Sequence, residues 1–210
     1  MKRQSQRIPV IGVTGIIGSG KSTVSRIFVE LGARMFDADQ VAKEITDTDQ
    51  EVLTGIRADF GDEVFTSSGE LDRRELAAKV FNDPRALQVL NQLIHPKVLQ
   101  RLREFVVETL SDSSSKLVVV DVPLLYETGL ESEVDAVVVV MAPEEVCVQR
   151  VHRARGWSAE EIRQRMCNQL SQQEKVERAD FIISNDGNIE KLTQECMAVF
   201  KKILRSFPKR

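Results

Sequence analysis

Cysteine, histidine and the larger aromatics are all scarce in this chain of 210 residues, which holds three cysteines, two histidines, one tryptophan and one tyrosine. The cysteines, at 147, 167 and 196, form no CxxC pair and have no histidine cluster near them, which argues against a zinc site. An odd number of them with no disulfide framework suits a reducing cytosol, so a cytoplasmic protein is expected. Long hydrophobic runs are missing too. AVVVVMA at 136–142 is the longest and falls far short of a bilayer span, and MKRQSQR has charge but no apolar segment before Ile8, unlike a secretory signal. No membrane partner is expected. Nor is there an excess of one charge: 29 Lys and Arg against 32 Asp and Glu leave a net charge of −3, which argues against nucleic-acid binding by bulk electrostatics. The basic ends, MKRQSQR and KKILRSFPKR, read as solvated termini. There is no internal repeat, no low-complexity tract and no NKxD base-reading motif.

What is there suffices for one α/β domain with insertions, or at most two small domains, large enough to bury a core without disulfides. Five short apolar runs read as strands: IPVIGV at 8–13, ARMFD at 33–37, LVVVD at 117–121, DAVVVVM at 135–141 and FIIS at 181–184. The third and fourth are continuous and rich in valine, as strands covered on both faces are. Between the first two, Val24, Ile27, Phe28 and Leu31 recur at helical spacing and Gly32 supplies the stop. Alternating strands and helices predict a parallel sheet with right-handed crossovers. From about Gln40 to Leu110 the pattern is mostly helical. Pro84 stands at a helix-opening position, and a second helix is expected to open at Pro96. This stretch reads as an insertion over the carboxyl ends of the strands, where ligands bind in such sheets. SDSSS at 111–115 is a polar connector.

The chemistry begins at VTGIIGSGKST, Val13 to Thr23. Gly15-x-x-x-x-Gly20-Lys21-Ser22 matches the phosphate-loop pattern, strand before and helix after. In such a loop the backbone N–H groups of Gly18, Ser19, Gly20, Lys21, Ser22 and Thr23 cradle phosphate oxygens. Lys21 reaches the outer phosphates, and the Ser22 hydroxyl ligates Mg2+. The helix after the loop turns its positive end to the anion. Ile16 stands where a further glycine is common, a departure that matters only if the position needs positive φ. Without NKxD a GTPase switch is disfavoured, and without further coupling motifs so is a motor ATPase. A compact kinase with a lid remains, against a nucleotide-dependent binding switch as the competing class.

Phosphoryl transfer asks for positioning, charge neutralisation and an oriented acceptor. Asp37 and Asp39 end the second strand, and in extended geometry they would point oppositely. Asp39 is the candidate for the acceptor-hydroxyl base, with Asp37 supporting the turn or the water around a metal; both could instead cap the next helix. Asp121 resembles a Walker B carboxylate or simply closes its strand. Arg150, Arg153 and Arg155, placed just after the helix that follows the fourth strand, are either charge-neutralising lid arginines or a solvated helix end. Arg165 and Gln169 are expected on one helix face at i, i+4. His95 is either a packing histidine or an acceptor contact, and His152 is lid surface. Trp157 and Tyr126 either stack on a base or fill core.

Together these residues resemble the dephospho-coenzyme A kinase family. The matching blocks are VTGIIGSGKST, FDAD at 36–39, LDRRELAAKVF at 71–81, LIHPKV at 93–98, VPLLYE at 122–127 and RADFIISNDG at 178–187, in the family's order over almost the whole chain. The His-Pro and Pro-Leu-Leu-aromatic-Glu blocks are the specific ones. The resemblance implies a P-loop kinase core with a five-stranded parallel sheet (residues 8–48, 112–150 and 178–210), a helical coenzyme-A-binding insertion at about 49–111 and a lid at about 150–177. It implies ATP-dependent phosphorylation of the ribose 3′-hydroxyl of dephospho-coenzyme A, by a monomer or weak homo-oligomer. Asp39 would be the base, His95 and Arg73 would lie on the acceptor side, and Asn185 with Gly187 would flank the adenine pocket. Arg150 is retained in the lid, with Lys21 in the phosphate loop. The family's later lid places hold Ala154 and Arg155, which leaves open whether Arg153 or Arg155 meets phosphate.

Overall fold

In the computed structural model, residues 8–81, 83–111 and 115–207 are described. Most of the SDSSS connector, all of MKRQSQR and the last three residues of KKILRSFPKR lie outside them.

Five runs of β-branched and apolar residues become five parallel strands: β1 (Val10–Thr14), β2 (Ala33–Asp37), β3 (Leu117–Asp121), β4 (Ala136–Met141) and β5 (Phe181–Ser184). Their order across the sheet is β2-β3-β1-β4-β5. All five residues of β3 are buried, which accounts for the absence of any polar alternation in LVVVD. The register pairs Asp121 with Val13 on one side and with Asp37 on the other, so the phosphate-loop strand and two carboxylates end side by side. Gly12 lets the Leu125 side chain lie against β1 where a Cβ would collide with it.

Helix α1 (Lys21–Glu30) and the C-terminal α9 (Ile189–Ser206) cover the sheet. Val24, Ile27 and Phe28 of α1 meet Val199, Phe200 and Ile203 of α9 in one buried cluster with Ile11, Val13, Val119 and Val138. Phe28 and Phe200 stack edge to face, 5.4 Å between centroids. Each such side chain contributes roughly 2–3 kcal/mol by leaving water. Leu31 and Gly32 close α1 through N–H bonds to Ile27 and Val29, with Gly32 at positive φ, as its place in the sequence predicted.

The described chain divides into two compact units: everything up to Asp37 together with everything from Phe105 onward, and Ala38–Glu104. The second unit is helical: α2 (Ala38–Thr48), α3 (Gln50–Phe60), α4 (Arg73–Phe81) and most of α5 (Pro84–Leu110). Asp49, Asp72 and Asp83 cap α3, α4 and α5 through first-turn N–H groups. Gly55 brings α3 against Leu93 of α5 with no room for a Cβ.

Two expectations fail here. Pro96 opens no helix, because α5 runs straight through it. The ring removes one N–H and strands the Gln92 carbonyl, but Pro96 is exposed, where water can meet that carbonyl. Asp39 is not extended: β2 ends at Asp37, and Asp39 sits in the first turn of α2, where a carboxylate complements the helix dipole.

Between β4 and β5 the first unit carries α6 (Glu144–Arg155), α7 (Ala159–Cys167) and α8 (Gln172–Glu177). Ser158 with Glu161, and Ser171 with Glu174, form capping boxes that start α7 and α8. Arg150, Arg153 and Arg155 therefore lie within α6, not after it. Helix α7 stops at Cys167, so Gln169 lies beyond it and shares no helix face with Arg165.

Candidate active site

The loop from Gly15 to Gly20 joins β1 to α1 at the carboxyl end of the sheet. Gly18 and Gly20 have φ of 82° and 95°, in the left-handed region that side chains rarely adopt. A Cβ on Gly18 would run into the Cys147 carbonyl, and one on Gly20 into the Asn185 amide. Gly20 is the N-cap of α1 and offers the first turn no side-chain oxygen, which leaves N–H groups there to meet an anion. Ile16 does not have positive φ; no described non-glycine residue does. Its side chain is buried against Ala142, Cys147 and Met166, so the departure from glycine fills a gap in the packing.

Lys21 ion-pairs with Asp121 at the end of β3. The carboxylate is almost fully buried and the ammonium nearly so, which makes the pair the charged centre of the loop. Ser22 and Thr23 follow in the first turn of α1, Ser22 exposed. The Ser22 hydroxyl and the Asp121 carboxylate are hard oxygen donors, which fits a Mg2+ held mostly by water and substrate phosphates. Among the described residues no cluster of three or more His, Cys, Asp and Glu offers an all-protein metal cage.

Arg150, half-buried on α6, donates to the Asn185 backbone carbonyl at 3.1 Å, to Asn185 Oδ1 at 3.2 Å and to the Ser19 carbonyl at 3.4 Å. Asn185 Nδ2 donates to the same Ser19 carbonyl at 2.7 Å. The sequence separates Arg150 and Asn185 into different roles; the structure brings both onto the back of the phosphate loop. Gly187 lies two residues on, before the α9 cap Asn188. Arg153 is exposed. Arg155 lies over the Trp157 ring at 4.7 Å and Arg165 at 4.0 Å, so two guanidiniums meet the Trp157 ring. His152 accepts from or donates to no phosphate-loop atom in this arrangement; its Nδ1 meets the Trp157 carbonyl at 2.7 Å. Tyr126 is buried under Arg178, and burial pushes its phenol up to about 12, so it remains neutral.

In the second unit a cavity of about 360 Å3 opens between α2, α4 and α5. Asp39, Lys43 and Arg73 give it a polar end, and Leu71, Leu90 and Ile94 are part of an apolar wall. Arg73 is held by the Lys43 carbonyl at 2.7 Å, Thr46 Oγ1 at 2.8 Å and Asp47 at 2.7 Å. Asp39 and Arg73, which the sequence pairs by resemblance, thus line one cavity. His95 does not line it. Its imidazole is half-buried on α5, and burial lowers its pKa from the ordinary value.

The contacts of four polar residues near the loop escaped the sequence reading, which set Gln169 only on a helix face with Arg165. Gln169 Oε1 accepts from the Ile17 N–H at 3.0 Å, and Gln172 Oε1 from the Ala142 N–H, also at 3.0 Å. Lys175, fully buried, donates to both oxygens of Glu127 at 2.7 and 2.9 Å. Glu127 closes the VPLLYE block, which was the one signal pointing to any of them.

The dephospho-CoA kinase family model matches residues 9–191. A dephospho-CoA kinase of Geobacillus kaustophilus is 40% identical over 192 residues, covering 91% of this chain and 95% of that protein. The chain belongs to the dephospho-CoA kinase family. It is accordingly a kinase. Two solved structures share its fold: TT1252 from Thermus thermophilus, with TM-score 0.80, 35% identity and coverage of 94% and 99% of the two chains, and a dephospho-CoA kinase from Campylobacter jejuni, with TM-score 0.67, 29% identity and coverage of 94% and 98%. The five-stranded parallel sheet with the phosphate loop at its carboxyl end is the P-loop kinase core that this family membership entails.

Proposed function

We propose that this chain transfers the γ-phosphoryl group of ATP to the ribose 3′-hydroxyl of dephospho-CoA, giving CoA and ADP, the last step of coenzyme A biosynthesis. The observation that carries the reading is the family membership, since the match spans both the phosphate loop and the cavity of the second unit. The N–H groups of Gly18, Gly20, Lys21 and Ser22 hold the donor phosphates, those of Ser19 and Thr23 being bonded to the Ile16 and Gly20 carbonyls, and Lys21 exchanges Asp121 for an outer phosphate oxygen. The Ser22 hydroxyl would help hold Mg2+, which would supply charge neutralisation for the donor phosphates. Arg150 places a cation behind the loop, and Asn185 with Gly187 borders the adenine. On the acceptor side, Arg73 and Lys43 supply positive charge for the pyrophosphate of dephospho-CoA, the apolar wall takes uncharged parts of the molecule, and His95 is a flanking contact. Asp39 accepts the 3′-hydroxyl proton or holds that hydroxyl in line. The same reading makes the protein a cytoplasmic enzyme, monomeric or weakly homo-oligomeric, that acts on a small molecule and not on nucleic acid.

Asp39→Asn tests the assignment of the acceptor side. Turnover should fall about a hundredfold or more while the Kd for ATP stays within about twofold. Turnover equal to that of the unaltered protein removes Asp39 from the reaction.

A further inference from the structure

Phosphate loops bind through backbone N–H groups, so their affinity depends on what holds the backbone in shape before nucleotide arrives. In this chain part of that support comes from a segment distant in sequence. Gln169, in the stretch between α7 and α8, reaches its side-chain carbonyl to the N–H of Ile17, one residue ahead of Gly18. The stretch carrying Gln169 is itself fastened at three further points. Gln172 Oε1 accepts from the Ala142 N–H just past β4. Glu127 Oε1 accepts from the Leu170 N–H at 2.8 Å. Lys175 Nζ, with no exposed surface, pairs with that same carboxylate and reaches the Pro123 carbonyl at 3.3 Å, to which Thr14 Oγ1 also donates at 3.1 Å.

An ammonium removed from water is costly unless it is paired and hydrogen-bonded, and here both conditions are met. A buried pair of this kind fixes one geometry more than it adds stability, and the geometry it fixes is the backbone at 170, the residue next to Gln169. The loops after β1, β3 and β4 are thereby joined through one short segment. The interactions lie within the first unit.

We propose that Gln169 is a positioning residue for the phosphate loop: its bond to the Ile17 N–H sets the loop for ATP, and the Lys175–Glu127 pair holds Gln169 in place. The proposal rests on the loop binding ATP, as the kinase reading requires, but not on the identity of the acceptor. Gln169 touches no reacting atom in this account.

The test is Gln169→Met, which keeps length and shape and removes the acceptor. ATP affinity is read by calorimetry without acceptor, so that the result does not depend on turnover. Amide hydrogen exchange at Ile17 and the melting temperature are read beside it. Losing one neutral hydrogen bond should raise the Kd for ATP about tenfold. Ile17 exchange should accelerate, the melting temperature should fall by no more than about 4 °C, and the KM for dephospho-CoA should move less than about twofold. A Kd for ATP within about twofold of the unaltered protein's, or unchanged protection at Ile17, overturns the proposal. So does a parallel rise in the ATP and acceptor constants, which would mark a general loosening. An unaltered protein that binds ATP but does not phosphorylate dephospho-CoA contradicts the kinase reading and leaves the calorimetric comparison intact.

Discussion

A methyl group on Gly20 has nowhere to go. The residue sits at φ 95° with the Asn185 amide against the place a Cβ would occupy, and that amide in turn holds the Ser19 carbonyl. Gly20→Ala must therefore either strain the backbone or push Asn185 and its partner Arg150 off the loop. Strain of this kind costs about 1–3 kcal/mol, so the Kd for ATP should rise about fivefold to a hundredfold in a calorimetric titration. An unchanged Kd would mean that the loop accepts other backbone geometries. The glycine was legible because the pattern G-x-x-x-x-G-K-S carries its own mechanism. The reason why Ile16 is tolerated was not. It depends on Ala142, Cys147 and Met166, which reach it from distant parts of the chain.

At the scale of elements, the buried pair offers a sharper test than any surface contact. Lys175→Met leaves the half-buried Glu127 carboxylate opposite a thioether, a change that costs about 3 kcal/mol and lowers the melting temperature on the order of 10 °C. Adding Glu127→Gln removes the stranded charge and keeps an acceptor for the Leu170 N–H, so the double variant should recover most of that loss. A double variant no more stable than the single one would contradict the pairing. On α5, burial depresses the His95 pKa. The unfolded chain then binds the proton first, so stability falls as pH drops below about 6.5 toward the lower folded value, and is restored above it. His95→Gln should flatten the melting temperature between about pH 7.5 and 5.5; an unaltered slope would exclude this histidine as its source.

The same elements show what a sequence discloses. β3 was legible to the residue, because a continuous apolar run bounded by charge has few other readings. Pro96 misled because proline favours the first turn of a helix, and whether its stranded carbonyl faces water is decided by tertiary packing. Gln169 was unreadable for a related reason. Its partner Ile17 is 152 residues away, and a glutamine just beyond a helix end has no local signature.

At the scale of the molecule, the proposed donor and acceptor sites are carried by different units. The sheet unit carries the phosphate loop, with Lys21 paired to Asp121, and Arg150 and Asn185 bonded to the Ser19 carbonyl. The helical unit carries Asp39 and Arg73 in the lining of a largely apolar cavity, and nothing in the phosphate loop specifies what that cavity takes. The central claim is therefore the identity of the acceptor, and a coupled assay of ADP release tests it most directly. Purified protein with ATP and Mg2+ is offered dephospho-CoA, a nucleoside monophosphate or shikimate in turn. The charged groups of Asp39, Lys43 and Arg73 and the apolar lining, matched together by dephospho-CoA, should give it a kcat/KM at least about a hundredfold above the others. Background ADP release with dephospho-CoA, together with turnover of either alternative, would contradict the account.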